Sequence, residues 1–191
     1  KRANLSLTHT KGFNPRPSVS IALPLSLGVE SQCELLDFEL EVENVSNEEI
    51  KTRLNQCLVN GVQILDVYDN GSKIKNLSFL DCVINMEYDA GIPRNAENIM
   101  LELFQQDEIL VEKKSKNGIT EQNIKPMIRR ISISVINDNE LSIQALVCCQ
   151  NPTLNPAQLY AAVCKYLPDL TPDFVRYRRV EVYDTNETVF R

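Results

Sequence analysis

Residues 154–167, LNPAQLYAAVCKYL, decide the fold, because an earlier stretch of the same chain is built to the same plan. Asn155 suits an N-cap, Pro156 the first helical position and Gln158 the capping-box position, while Leu154 and Leu159 can close a hydrophobic staple. Leu159, Val163, Tyr166 and Leu167 then make one apolar stripe at helical spacing. In the earlier stretch, Val45 to Leu58, Ser46 and Glu49 form the capping box, Val45 and Ile50 the staple, and Ile50, Leu54, Cys57 and Leu58 the stripe. Asn60-Gly61 stops that helix. Each helix leads into an expected strand with a matching end, Val67-Tyr68-Asp69 after the first and Val182-Tyr183-Asp184 after the second. The repetition predicts a duplicated architecture.

Working outward from the second helix, Phe174 to Tyr183 reads as a strand. Ile131, Ile133 and Val135 alternate with serines, Asn137 to Glu140 turns the chain, and Leu141, Ile143, Ala145 and Val147 alternate again, which is a hairpin. Leu80, Cys82, Ile84, Met86 and Tyr88 alternate as a strand, and Pro93 to Gln106 reads as a helix with Ile99, Met100, Leu103 and Phe104 on one face. Ile109 to Glu112 opens a further strand before the turn residues Lys116-Asn117-Gly118. Residues 73–191 thus predict strand, helix, strand, strand, helix, strand, the split β-α-β order.

The first part predicts a strand at Ser18 to Ser26, a turn at Gly28-Val29-Glu30-Ser31, and a second strand. In that strand Leu36, Phe38, Leu40 and Val42 alternate with Asp37, Glu39, Glu41 and Glu43. The helix and a strand at Val62 to Tyr68 complete it. This is the same order without its opening strand and helix. The expected fold class is therefore α+β, with two tandem ferredoxin-like units: 1–72 incomplete and 73–191 complete, packed as one compact domain.

Composition narrows the function classes. Twenty basic against twenty-six acidic side chains in 191 residues give a net charge of −6, so the chain is no polycation of the kind that coats nucleic acid. No apolar run reaches the length of a membrane span and no signal-peptide pattern opens the chain, which predicts a cytoplasmic protein. The start at Lys1-Arg2-Ala3-Asn4, without an initiator Met, predicts a fragment or trimmed chain.

Cys33, Cys57, Cys82, Cys148, Cys149 and Cys164 contain no C-x-x-C pair, and several fall at apolar pattern positions, so they read as structural thiols and no metal ligand is assigned. His9 is the only histidine, and no G-x-S-x-G, phosphate loop or dinucleotide fingerprint accompanies it. No catalytic residue is assigned.

Binding chemistry concentrates elsewhere. In Lys11-Gly12-Phe13-Asn14-Pro15-Arg16-Pro17 two X-Pro steps hold Asn14 and Arg16 extended, and an aromatic ring stands between cations. Such a loop either leads stiffly into a buried strand or presents Lys11, Phe13, Asn14 and Arg16 to a ring-bearing anion such as single-stranded RNA. Further positive charge lies at Lys113, Lys114 and Lys116, at Lys125, Arg129 and Arg130, and at Arg176, Arg178 and Arg179. These runs suit phosphates or a neighbour's acidic face. Together with the loop they predict one composite anion-binding surface.

The segment KGFNPRPSVSIALPLSLGVES, Lys11 to Ser31, and EKKSKNGITEQNIKPMI, Glu112 to Ile128, resemble the two signature segments of the bacterial radical-SAM-linked domain family. Asn123 and Lys125 depart from it, standing where that family usually has Asp and Arg. The resemblance implies a domain fused to or encoded beside a radical SAM enzyme. It places any iron–sulfur cluster and S-adenosylmethionine in that partner and no cofactor in this chain. The favoured expectation is a non-catalytic accessory domain that recognises substrate, RNA being the candidate. A module docking on the radical SAM core and an RNA-modifying enzyme of tandem fold are the alternatives, and the oligomeric state stays open.

Overall fold

The computed structural model describes residues 2–41, 45–115 and 118–191, the last two side chains before the second break excepted. Val42 and Glu43 of the predicted acidic strand, Lys116 and Asn117 of the predicted turn, and the Lys114 side chain lie outside the described residues. In chain order the elements are β1 (Val19–Ala22), β2 (Val29–Ser31), β3 (Leu35–Phe38), α1 (Asn47–Asn55) and β4 (Leu77–Glu87). They continue with α2 (Ala96–Gln105), β5 (Leu110–Ser115), β6 (Gly118–Asn123), β7 (Ile128–Asn137), β8 (Glu140–Cys148), α3 (Pro156–Tyr166) and β9 (Phe174–Asp184). The fold is α+β. It comprises two compact units, one from residues 1–24, 34–73 and 191, the other from 25–33 and 74–190.

In the larger unit the sheet order is β2-β9-β4-β8-β7. Strands β9, β4, β8 and β7 are antiparallel to their neighbours, and β2 adds at the edge parallel to β9. The expected order of strand, helix, strand, strand, helix, strand is present as β4, α2, β7, β8, α3, β9, with the β5–β6 hairpin inserted before β7. Alternation sets the two faces of the sheet. Leu80, Cys82, Ile84 and Met86 of β4 and Leu141, Ile143, Ala145 and Val147 of β8 are buried. Met100, Leu103 and Phe104 of α2 and Leu159, Ala162 and Val163 of α3 complete this core, each large apolar side chain contributing about 1.5–3 kcal/mol by leaving water.

Local chemistry sets the helix ends. At α3 the Asn155 side chain accepts from the Ala157 N–H at 3.0 Å and Gln158 Oε1 accepts from the Asn155 N–H at 3.0 Å, with Leu154 and Leu159 buried as the staple. At α2 the helix begins at Ala96, not Pro93, because Asn95 sits in the left-handed region at φ 64 and interrupts the helical run.

The smaller unit pairs β1 with β3, matching Val19 with Phe38 and Ile21 with Leu36. Three features differ from expectation. At α1 the Ser46 hydroxyl accepts from the Glu49 N–H at 3.2 Å, but the Glu49 carboxylate pairs with Arg53 one turn on instead of reaching back. Of the α1 stripe only Ile50 is buried. Val62 to Tyr68 forms no strand and has no ladder partners; Asn55 holds Ile64 from both sides, accepting from its N–H at 2.8 Å and donating to its carbonyl at 3.2 Å. Conversely, Val29-Glu30-Ser31, expected as a turn, is the β2 strand beside β9.

Candidate binding site

The Lys11–Pro17 loop is closed at its base by backbone chemistry. The Thr10 N–H donates to the Arg16 carbonyl at 2.8 Å, and the Arg16 N–H donates to the Thr10 hydroxyl at 3.1 Å. Below it, Ser18 donates to Thr8 at 2.8 Å and Thr8 to Glu39 at 2.9 Å, which ties the stem to the chain that follows β3. His9 belongs to this stem, bridged to Pro17 and exposed, with Nδ1 3.9 Å from Glu41. Lys11, Phe13, Asn14 and Arg16 are all exposed, and the Phe13 ring is fully so. A fully wet phenyl ring gains nothing from folding.

The remaining predicted site residues belong to the larger unit, and most are already occupied. Arg129 and Arg130 on β7 share Glu187, at 3.2 and 2.8 Å, and Arg129 also lies over the Phe79 ring, 5.3 Å from its centroid. Arg176 on β9 bridges Glu87 at 2.7 Å and Glu140 at 3.2 Å. The Lys125 ammonium donates to the Phe104 carbonyl at the end of α2, and Arg179 is buried. Lys113 on β5 is exposed. Arg178 is half-buried, and its Nε has no hydrogen-bond partner.

A second arrangement appears on the face of the sheet opposite the core. There Asn85 donates to Glu140 at 2.8 Å and accepts from the Ser142 hydroxyl at 3.0 Å, while Gln144 donates to Asp81 at 3.3 Å. Two hollows open on this face. One, of about 180 Å³, is lined by Glu30, Val83, Asn85, Arg176, Tyr177 and Arg178. The other, of about 440 Å³, is bordered by Asp81, Arg130, Ser132 and Gln144 among others. Burial, with Glu181 adding, lifts the Asp81 carboxyl above its ordinary range although Gln144 and Arg130 pull it down. Sequence reasoning missed these polar side chains. The signal was available: Asp81, Val83, Asn85 and Glu87 occupy the other phase of the β4 alternation.

One family model matches residues 1–156: an uncharacterised protein conserved in bacteria (DUF2344). The chain belongs to this family. No curated protein and no solved structure matches it. In this DUF2344 chain the Lys11–Pro17 finger, β2 and the β5–β6 hairpin lie inside the match, whereas β9, with Arg176, Arg178 and Arg179, lies beyond it.

The thiols of the DUF2344 chain are all free. Burial, helped by the Asp81 charge, pushes Cys82 up to about 12, and burial, helped by Cys148, does the same to Cys149. Such thiols stay protonated at neutral pH and are poor nucleophiles and poor metal ligands in that form. Among the described residues no group of three His, Cys, Asp or Glu side chains is placed to hold a metal ion, and no helix is long and apolar enough to cross a membrane.

Proposed function

We propose that this chain is a non-catalytic recognition domain that binds single-stranded RNA through Lys11, Phe13, Asn14 and Arg16 on behalf of a radical SAM partner. The observation that carries the reading is the closed-base finger with its phenyl ring wholly in water between two cations. Aromatic side chains offered this way stack on bases, at about 1–3 kcal/mol per base, and flanking cations meet the phosphates. The iron–sulfur cluster and S-adenosylmethionine would reside in the partner. The arrangement of β4, α2, β7, β8, α3 and β9 supports reading the larger unit as ferredoxin-like; in the smaller unit β1, β3 and α1 keep the order of a copy lacking its opening strand and helix, with no paired last strand among the described residues.

A second reading is favoured by the smaller unit's sheet. Val19, Ile21 and Leu36 are exposed on one face of the β1–β3 pair, a surface suited to docking on a polypeptide.

Fluorescence anisotropy with a labelled single-stranded RNA oligonucleotide decides between them. Phe13→Ala with Arg16→Ala is expected to weaken binding roughly five- to a hundredfold while the unfolding midpoint stays put. RNA binding unaltered by the double variant would remove the finger as the site. No RNA retention by the native chain, together with salt-insensitive co-purification with the radical SAM protein, would select docking.

A further inference from the structure

Arg178 occupies the middle of β9, with Glu30 of β2 at the paired position on one side and Val83 of β4 on the other. The charged and polar groups near it on this face are engaged: Arg176 by Glu87 and Glu140, Asn85 by Glu140 and Ser142, Gln144 by Asp81. Arg178 and Glu30 are the exceptions. Among the described residues the Arg178 guanidinium has neither a hydrogen-bond nor an ion-pair partner, and its Nε is shut off from water. A buried N–H donor left this way is costly unless something supplies an acceptor.

The cross-strand carboxylate does not supply it. No ion pair within 4.0 Å joins Glu30 to Arg178. Instead both line the hollow of about 180 Å³ beside Arg176 and Asn85. That volume holds about six waters at ~30 Å³ each, which suits one hydrated oxyanion group and is too small for a stack of bases. Arg176 is held there by Glu87 and Glu140, which leaves Arg178 as the cation of the lining open to a single negative charge.

We propose that Arg178, with Arg176 beside it, binds one phosphodiester group of single-stranded RNA. The assignment rests on the RNA reading above and extends it to a site on the larger unit. Arg178 provides the guanidinium and its unsatisfied Nε donor; Glu30 tunes the site by competing for that charge.

The test is the anisotropy titration repeated across a salt series with the native chain, Arg178→Gln, Arg178→Lys, Glu30→Gln and the Phe13→Ala/Arg16→Ala pair. Arg178→Gln is expected to weaken binding about tenfold, the worth of a charge-assisted contact. It should also flatten the slope of log K against log salt by about 0.7, the single-strand value for one phosphate. Arg178→Lys should keep the slope, and Glu30→Gln should tighten binding. Native affinity and slope in Arg178→Gln overturn the proposal, and if that variant fails to fold, native affinity in Glu30→Gln does so. Loss of binding in the finger variant with Arg178→Gln unaffected sinks this site alone. The reverse pattern sinks the finger and keeps the site. A native chain that binds no RNA at any salt sinks both.

Discussion

Replacing Ile84 by Ala tests the register on which both faces of the sheet depend. Ile84 is wholly buried in the middle strand, opposite Ile143 of β8 and Tyr177 of β9. The change deletes three carbons, and at about 0.8 kcal/mol for each the lost transfer energy is about 2.4 kcal/mol. Neighbours held by two ladders cannot collapse fully into the gap, so a cavity term of up to about 2 kcal/mol adds to it. The sum is about 2.5–4.5 kcal/mol. Val83→Ala is the control, since Val83 is one residue away on the polar face and only half-buried. It deletes two carbons that were partly wet already, for a cost of about 0.8 kcal/mol. Urea unfolding followed by circular dichroism reads both, and with m near 2 kcal/mol/M the Ile84 variant's midpoint falls by about 1.2–2.2 M. A one-residue slip of β4 would exchange the faces and reverse the ranking. Val83→Ala costing as much as Ile84→Ala would refute the assignment of core and polar faces.

Alkaline pH should destabilise the chain. Burial holds the Cys82 and Cys149 thiols and the Tyr88 and Tyr177 phenols protonated up to about 12, whereas in the unfolded chain they ionise near about 8.5 and about 10. Above those values the unfolded state binds fewer protons than the native state, so stability is complete at pH 7 and declines from about pH 9 towards pH 12. Urea midpoints at a series of pH values check this, and a flat profile would contradict the burial of these groups. Glu187→Gln should release Arg129 and Arg130 from their shared carboxylate. Exposed pairs of this kind hold little energy, so RNA affinity is expected to rise by up to about fivefold with a steeper salt dependence; unchanged binding would mean that β7 takes no part.

The larger unit was legible because its signals are local and agree with one another. The β7–β8 hairpin follows from alternation on both sides of Asn137–Glu140, and α3 from a cap, a proline and a staple within six residues. The smaller unit was less so. Val62 to Tyr68 has strand composition, but a strand exists only where a neighbour offers its ladder, and here the Asn55 side chain takes the hydrogen bonds of Ile64 instead. β2 was missed for the opposite reason. Val29–Ser31 is too short for periodicity to register, and what makes it a strand is the remote edge of β9.

The finger and the arginines expose a limit of another kind. Lys11 to Pro17 could be read because prolines and a closed loop base act within a few residues, and the full exposure of Phe13 agrees with that local stiffness. A basic run gives no such information, since whether a guanidinium is available depends on carboxylates far away in sequence. Arg129 and Arg130 meet Glu187 from 58 and 57 residues off, and Arg176 meets Glu140 from 36. In a chain with more acidic than basic side chains, a run of cations can be neutralised in this way. The charge that remains open is therefore the informative one, and among the three arginines of β9 that reasoning singles out Arg178, whose paired position across the strand holds a carboxylate that leaves it unbonded.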